Sequence, residues 1–167
     1  MFKRNNDKWF DTERLKIFHG PSSPIIKGTP LVRAAIKKLR LEGYKFDYEE
    51  LSGVPHTQIL KKLATSHIVL NEFYAQVPGV FGVEAMANAC VLLTSADRNI
   101  ESSLPLDSEK AWVVTPYWDV YQQLKSVLDM SIDSLREQAE TGYQWTLKNY
   151  SSTENAAQFN MIIGNES

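Results

Sequence analysis

The chain lacks most of the groups that mark large functional classes. It has a single cysteine, Cys90, so no disulfide can form within it. That cysteine lies in the apolar run Cys90-Val91-Leu92-Leu93, which reads as a buried strand rather than a nucleophile's setting. No stretch approaches the roughly 20 apolar residues that a membrane span needs. The opening residues, from Met1 to Lys8, lack the apolar core of a signal peptide, so a reducing cytoplasm is the expected setting. A net charge of -2 and a pI near 5.9 offer no bulk attraction for nucleic acid. The three histidines, His19, His56 and His67, lie on separate elements, and none has an acid at a ligand spacing, so no metal site is expected. No Gly-x-Gly-x-x-Gly follows a strand, no Gly-x-Ser-x-Gly elbow occurs, and no acidic cluster marks a phospho-acceptor. Dehydrogenase, hydrolase and receiver-domain readings lose ground accordingly.

What is present describes one soluble globular domain. A length of 167 residues, 43% of them apolar, suffices to bury a core. Residues 1–14 carry Lys3, Arg4, Lys8 and Arg14 among Asp7, Asp11 and Glu13, a mixture that reads as a polar tail or linker remnant. From 15 to 167 strand and helix signals alternate. Leu15 to Phe18 is a short apolar strand. Thr29 then caps a helix with Pro30 at its first position, and Leu31, Val32, Ala35, Ile36 and Leu39 form its apolar face. Phe46 to Leu51 and His67 to Leu70 suit strands, with a helix through Ile59, Leu60 and Leu63 between them. Cys90 to Thr94 is a further strand, Ala111 to Val114 another, and Ser95 to Lys110 a polar loop between them. Helical periodicity follows from Trp118, with a second helix from about Ser131 to Asn149 and a last amphipathic segment carrying Ala156, Ala157, Phe159 and Ile162. Short apolar strands alternating with helices predict a Rossmann-like α/β/α domain with a parallel sheet, and C-terminal helices packed on it.

Ligands of such sheets bind beyond the carboxyl ends of the strands, so three loops carry the functional reading. The first, His19 to Thr29, is not a Walker motif, because Lys27 and Gly28 stand in the reverse order. Lys27 there is either a surface lysine or an ammonium sharing an anion with the amides of the next helix. His19 points to the binding edge, with a structural hydrogen bond as its expected role. The second loop holds Ser52-Gly53-Val54-Pro55-His56. The third, Gln76 to Ala87, combines Gly79 and Gly82 with a helix opening at Glu84-Ala85-Met86-Ala87. Amides at a helix start can hold an anion, and a carboxylate beside them can accept hydrogen bonds from hydroxyls. A glycine turn before a core helix has the same sequence.

In this order, the loop around Ser22 and Lys27-Gly28-Thr29, then Gly53-Val54-Pro55-His56, the strand His67 to Leu70, and Gly79-Val80-Phe81-Gly82-Val83-Glu84-Ala85-Met86-Ala87 resemble the C-terminal half of the retaining glycosyltransferases of family 4. The resemblance covers roughly Leu15 to Asn149. It implies two facing Rossmann-like domains, of which this one holds a nucleotide-diphosphate-sugar donor. It implies that Lys27 binds the diphosphate and stabilises the leaving group, and that Glu84 holds the ribose hydroxyls. The amides near Gly79, Gly82 and Val83 would meet phosphate, and Val54 and Pro55 would pack near the base. Sugar transfer to a hydroxyl acceptor with retention, without a metal or further cofactor, would follow, as part of glycan or polysaccharide biosynthesis.

Two positions depart from the family's pattern. Gln76 stands where the first of two glutamates eight residues apart would be, and Ser22 stands where an arginine often precedes the lysine. The length leaves no room for an acceptor-binding domain, which implies a partner domain or chain and allows a peripheral membrane location through it. Alternative readings are a non-catalytic nucleotide-sugar-binding or regulatory module, and a domain like those of nucleotide-sugar epimerases.

Overall fold

A computed structural model describes residues 7–10 and 12–150. The amphipathic segment expected after Ser152 lies outside them. The chain forms a Rossmann-like three-layer α/β/α domain around a five-stranded, all-parallel sheet. Its strands are β1 (Lys16–His19), β2 (Asp47–Glu50), β3 (Ile68–Leu70), β4 (Val91–Thr94) and β5 (Val113–Val114). They lie in the order β2-β1-β3-β4-β5. The helices are α1 (Pro24–Lys27), α2 (Thr29–Leu41), α3 (His56–Thr65), α4 (Gly79–Ala87), α5 (Ser108–Ala111), α6 (Val120–Leu128) and α7 (Ile132–Tyr150).

Strand alternation sorts the core into two layers. Ile17, Ile68, Leu70, Val91 and Leu93 pack with Val32, Ile36 and Leu39 of α2 and Leu124 and Val127 of α6. Phe18, Val69 and Leu92 face the other way, onto Leu63 of α3, Ala85 and Met86 of α4, and Trp112. The long helix α7 supplies Leu135 and Ala139 to the first layer and Trp145 to the second. β3 and β4 are buried along their whole length, as a sheet covered on both faces requires. β2 is the polar edge, where charged residues discourage further strand pairing.

Two local expectations are corrected. The loop expected from His19 to Thr29 contains a single helical turn, α1, which Gly28 (φ 81°) ends in the left-handed region before α2 starts at Thr29. Thr29 does not cap α2: Gly28 holds the cap position, Thr29 is the first helical residue, and its hydroxyl donates to His19. Within the supposed polar loop from Ser95 to Lys110, the short helix α5 lies against α7. There a Cβ at Gly142 would come within 2.7 Å of the Ala111 carbonyl oxygen.

Part of the stretch read as a solvated tail is packed. The Trp9 indole is buried, donates to the Ala89 carbonyl and meets His67 edge-on. The Lys8 ammonium donates to the carbonyls of Leu63 and Asn88 and lies 3.4 Å from Cys90 Sγ. Cys90 itself is buried, which pushes its thiol up and makes it a core residue, as its apolar run implies. Residues 8 and 9 thus close the amino end of the sheet, opposite the binding edge. Trp9→Ala should cost about 3–5 kcal/mol, read as a lower urea midpoint. An unchanged midpoint would return this segment to the status of a tail.

Candidate functional site

The strand order reverses between β1 and β3, since β2 lies on one side of β1 while β3, β4 and β5 continue on the other. A parallel sheet opens a crevice at such a point, beyond the carboxyl ends of its strands. A cleft of about 440 Å³ is found there, lined by Gly20 to Ser22 and Lys27 after β1, Leu51 to Val54 after β2, His56 and Ile59 of α3, Asn71 after β3, and Val80, Phe81 and Glu84 of α4. Its volume is within the range of small-molecule sites.

Of the residues singled out in the sequence, the fold brings Ser22, Lys27, Val54 and Glu84 together in this cleft. Pro55, Gln76, Gly79, Gly82 and Val83 do not line it. Pro55 is the residue before α3. Gly79 adopts φ 69° at the start of α4. Gly82 lets α4 approach the sheet, because a Cβ there would meet Asn71 and Pro78 at 3.0 Å and Leu92 at 3.3 Å. Val83 is buried. The amide oxygen of Gln76 is sealed from solvent without accepting a hydrogen bond.

The helix carrying Glu84 begins at Gly79 rather than at Glu84, so this carboxylate stands in the second turn and not at the first amides. It is almost wholly buried, and the Nε2 of His56 lies 2.9 Å from its Oε2. The sequence showed no acid for His56, because the partner is 28 positions away and only the packing of α3 against α4 joins them. Lys27 closes the single turn α1, and its Nζ donates to Glu72 Oε2 at 2.8 Å. Glu72 and Asn71 were not singled out from sequence. Their signal was available: two polar residues directly follow the apolar strand Ile68-Val69-Leu70, at its binding end. Asn71 donates to the Pro78 carbonyl at 2.6 Å and fastens the turn that precedes α4.

His19 does not reach the cleft. Its Nδ1–H donates to the Leu70 carbonyl (2.8 Å), which leaves Nε2 to accept from the Thr29 hydroxyl (2.9 Å). The ring ties β1, β3 and α2 together as a neutral imidazole, the structural role expected for it.

Chemically, the cleft joins an ammonium, a buried carboxylate, an imidazole and the first turn of α4 to the apolar walls Leu51, Val54, Ile59 and Phe81. Such a surface can hold a hydroxyl-bearing ligand and, through Lys27 and the α4 amides, an anionic group. No group of three or more metal-ligating side chains occurs among the described residues. No helix among them is long and apolar enough to cross a membrane. No protein-family model matches the chain, and no curated protein matches it.

Burial holds the His19 imidazole below its ordinary value of 6.5. The unfolded chain therefore binds a proton more readily, and the stability contributed by neutral His19 is complete above 6.5 and declines as pH falls below it. Urea unfolding at a series of pH values should show this slope, and His19→Gln should flatten it. Identical slopes in the two proteins would contradict the burial argument.

Proposed function

We propose that this chain is the nucleotide-sugar-binding domain of a retaining glycosyltransferase, completed by an acceptor-binding domain or partner. The observation that supports this reading is the meeting of Lys27, Glu84 and the first turn of α4 in one cleft at the reversal of strand order. The diphosphate would lie between the Lys27 ammonium and the α4 amides. Charge accumulates there as the bond between sugar carbon and phosphate oxygen breaks, and a fixed cation and helix dipole stabilise the departing diphosphate. Glu84 would accept hydrogen bonds from ribose hydroxyls, with His56 holding its carboxylate. Val54 would pack against the base. The exposed Ile25, Ile26 and Val80 offer apolar surface on the loops and helices around the cleft, as a domain awaiting a partner would.

A second reading, a non-catalytic nucleotide-sugar-binding or regulatory module, is favoured by one feature. Lys27 already faces Glu72 and His56 already faces Glu84, so neither basic side chain lining the cleft stands open to a diphosphate. The ammonium can still share its three hydrogens between Glu72 and a phosphate, but Glu72 opposes the ligand's charge.

Calorimetric titration with UDP, GDP, ADP and their sugars tests the proposal. One nucleoside diphosphate should bind. Lys27→Ala should weaken it about tenfold or more, and Glu72→Gln should tighten it by about fivefold through relief of repulsion. No binding to the parent protein or to Glu72→Gln would overturn the nucleotide-sugar reading. Sugar transfer on addition of an acceptor-domain partner would decide for the enzyme over the module.

A further inference from the structure

Three aromatic side chains stand exposed at the binding edge of the sheet and take no part in the cleft described above. Tyr74 follows β3. Tyr117 and Trp118 follow β5, in a single 3-10 turn after Pro116. The rings form a continuous set: Tyr74 and Tyr117 stack with centroids 5.5 Å apart at 29°, and Tyr117 meets Trp118 edge-on at 5.1 Å. Two loops separated by more than forty residues therefore combine into one aromatic surface. That surface borders the cleft, because Tyr74 packs at the turn beside Lys27, where a Cβ at Gly28 would lie 3.5 Å from its ring.

Contiguous exposed rings leave apolar area in water that a ligand's apolar face can cover. We propose that Tyr74, Tyr117 and Trp118 form a stacking platform for a neutral saccharide. A pyranose presents a face of C–H groups that packs on an aromatic ring, and a rim of hydroxyls that needs polar partners. Both halves are provided. The phenol hydroxyls and the indole N–H lie at the edges of the rings and are engaged by none of the described residues. Charge also selects the occupant. Lys27, the residue before Gly28, is paired with Glu72, and Asp119, the residue after Trp118, accepts from the neutral Gln123 amide. With Lys27 engaged by Glu72 and the Asp119 carboxyl directly following Trp118, the surface disfavours nucleic acid and anionic lipid, both of which bind through phosphate contacts to Lys and Arg. Assignment of this saccharide as the acceptor rests on the proposed function; binding of the saccharide does not.

Trp118 makes a built-in reporter. It is 73% exposed, whereas Trp9, Trp112 and Trp145 are 5% exposed or less, so acrylamide should quench Trp118 ahead of the others. The full chain is titrated with short neutral oligosaccharides of glucose, mannose, galactose, xylose and N-acetylglucosamine while quenching is followed. At least one series should shield Trp118, and Tyr74→Ala and Tyr117→Ala should each weaken that binding about tenfold. Thermal unfolding of the two variants checks that they remain folded. The proposal is overturned if no oligosaccharide shields Trp118, if shielding survives both substitutions, or if only an apolar peptide shields it. Nucleotide titration of the Lys27→Ala variant decides the donor reading separately. Saccharide binding without any nucleotide binding would keep the platform and remove that reading.

Discussion

Glu84 is a carboxylate withdrawn almost completely from water, and a charge so placed must be matched by a donor or a cation. His56 meets it at 2.9 Å. Because His56 begins α3 and Glu84 lies on α4, this contact fixes the loop after β2 against the helix after β3, on either side of β1. The cleft is the space left between them. Asn71 completes the arrangement by fastening the turn before α4, and the close seat of Gly82 brings that helix down onto the sheet. Removing one member of such a pair leaves the other buried and uncompensated, so the site and the packing around it are one problem rather than two.

Electrostatics also shape what the cleft can accept. The Lys27 ammonium is held by Glu72 and the Glu84 carboxylate faces His56, so a diphosphate arriving at Lys27 would compete with Glu72. In a fully assembled enzyme, a facing domain could add positive charge and exclude water, both of which strengthen Lys27's hold on phosphate. The pairing of Lys27 with Glu72 thus gives a physical reason for a donor domain to depend on its partner, within the proposed function.

The parts of the fold that were legible in the sequence are those set by local pattern. Ile68-Val69-Leu70 and Val91-Leu92-Leu93 are apolar without interruption, as strands covered on both faces are. The i, i+4, i+7 spacing of Val32, Ile36 and Leu39 marks α2 equally well. What pattern could not show was contact at a distance. Lys8 and Trp9 sit among charged residues and read as solvent-facing, yet the carbonyls they bind belong to Leu63, Asn88 and Ala89. The partners of Lys27 and His56 are 45 and 28 positions away. The start of α4 was misplaced because glycines read as a turn, whereas Gly79 opens the helix and Gly82 lies inside it for close packing. Ser22, Lys27, Val54 and Glu84 could be placed from sequence because strand ends in a parallel sheet converge by topology.

The central claim is that the crevice between β1 and β3 receives a nucleoside diphosphate. Amide chemical shifts of the full chain, followed during titration with UDP, GDP and ADP, test it most directly. One of the three should move the amides of Lys27, Val54, Val80, Phe81 and Glu84 together, with a common saturation curve. Shifts confined to other parts of the molecule, or none with any of the three, would contradict the account.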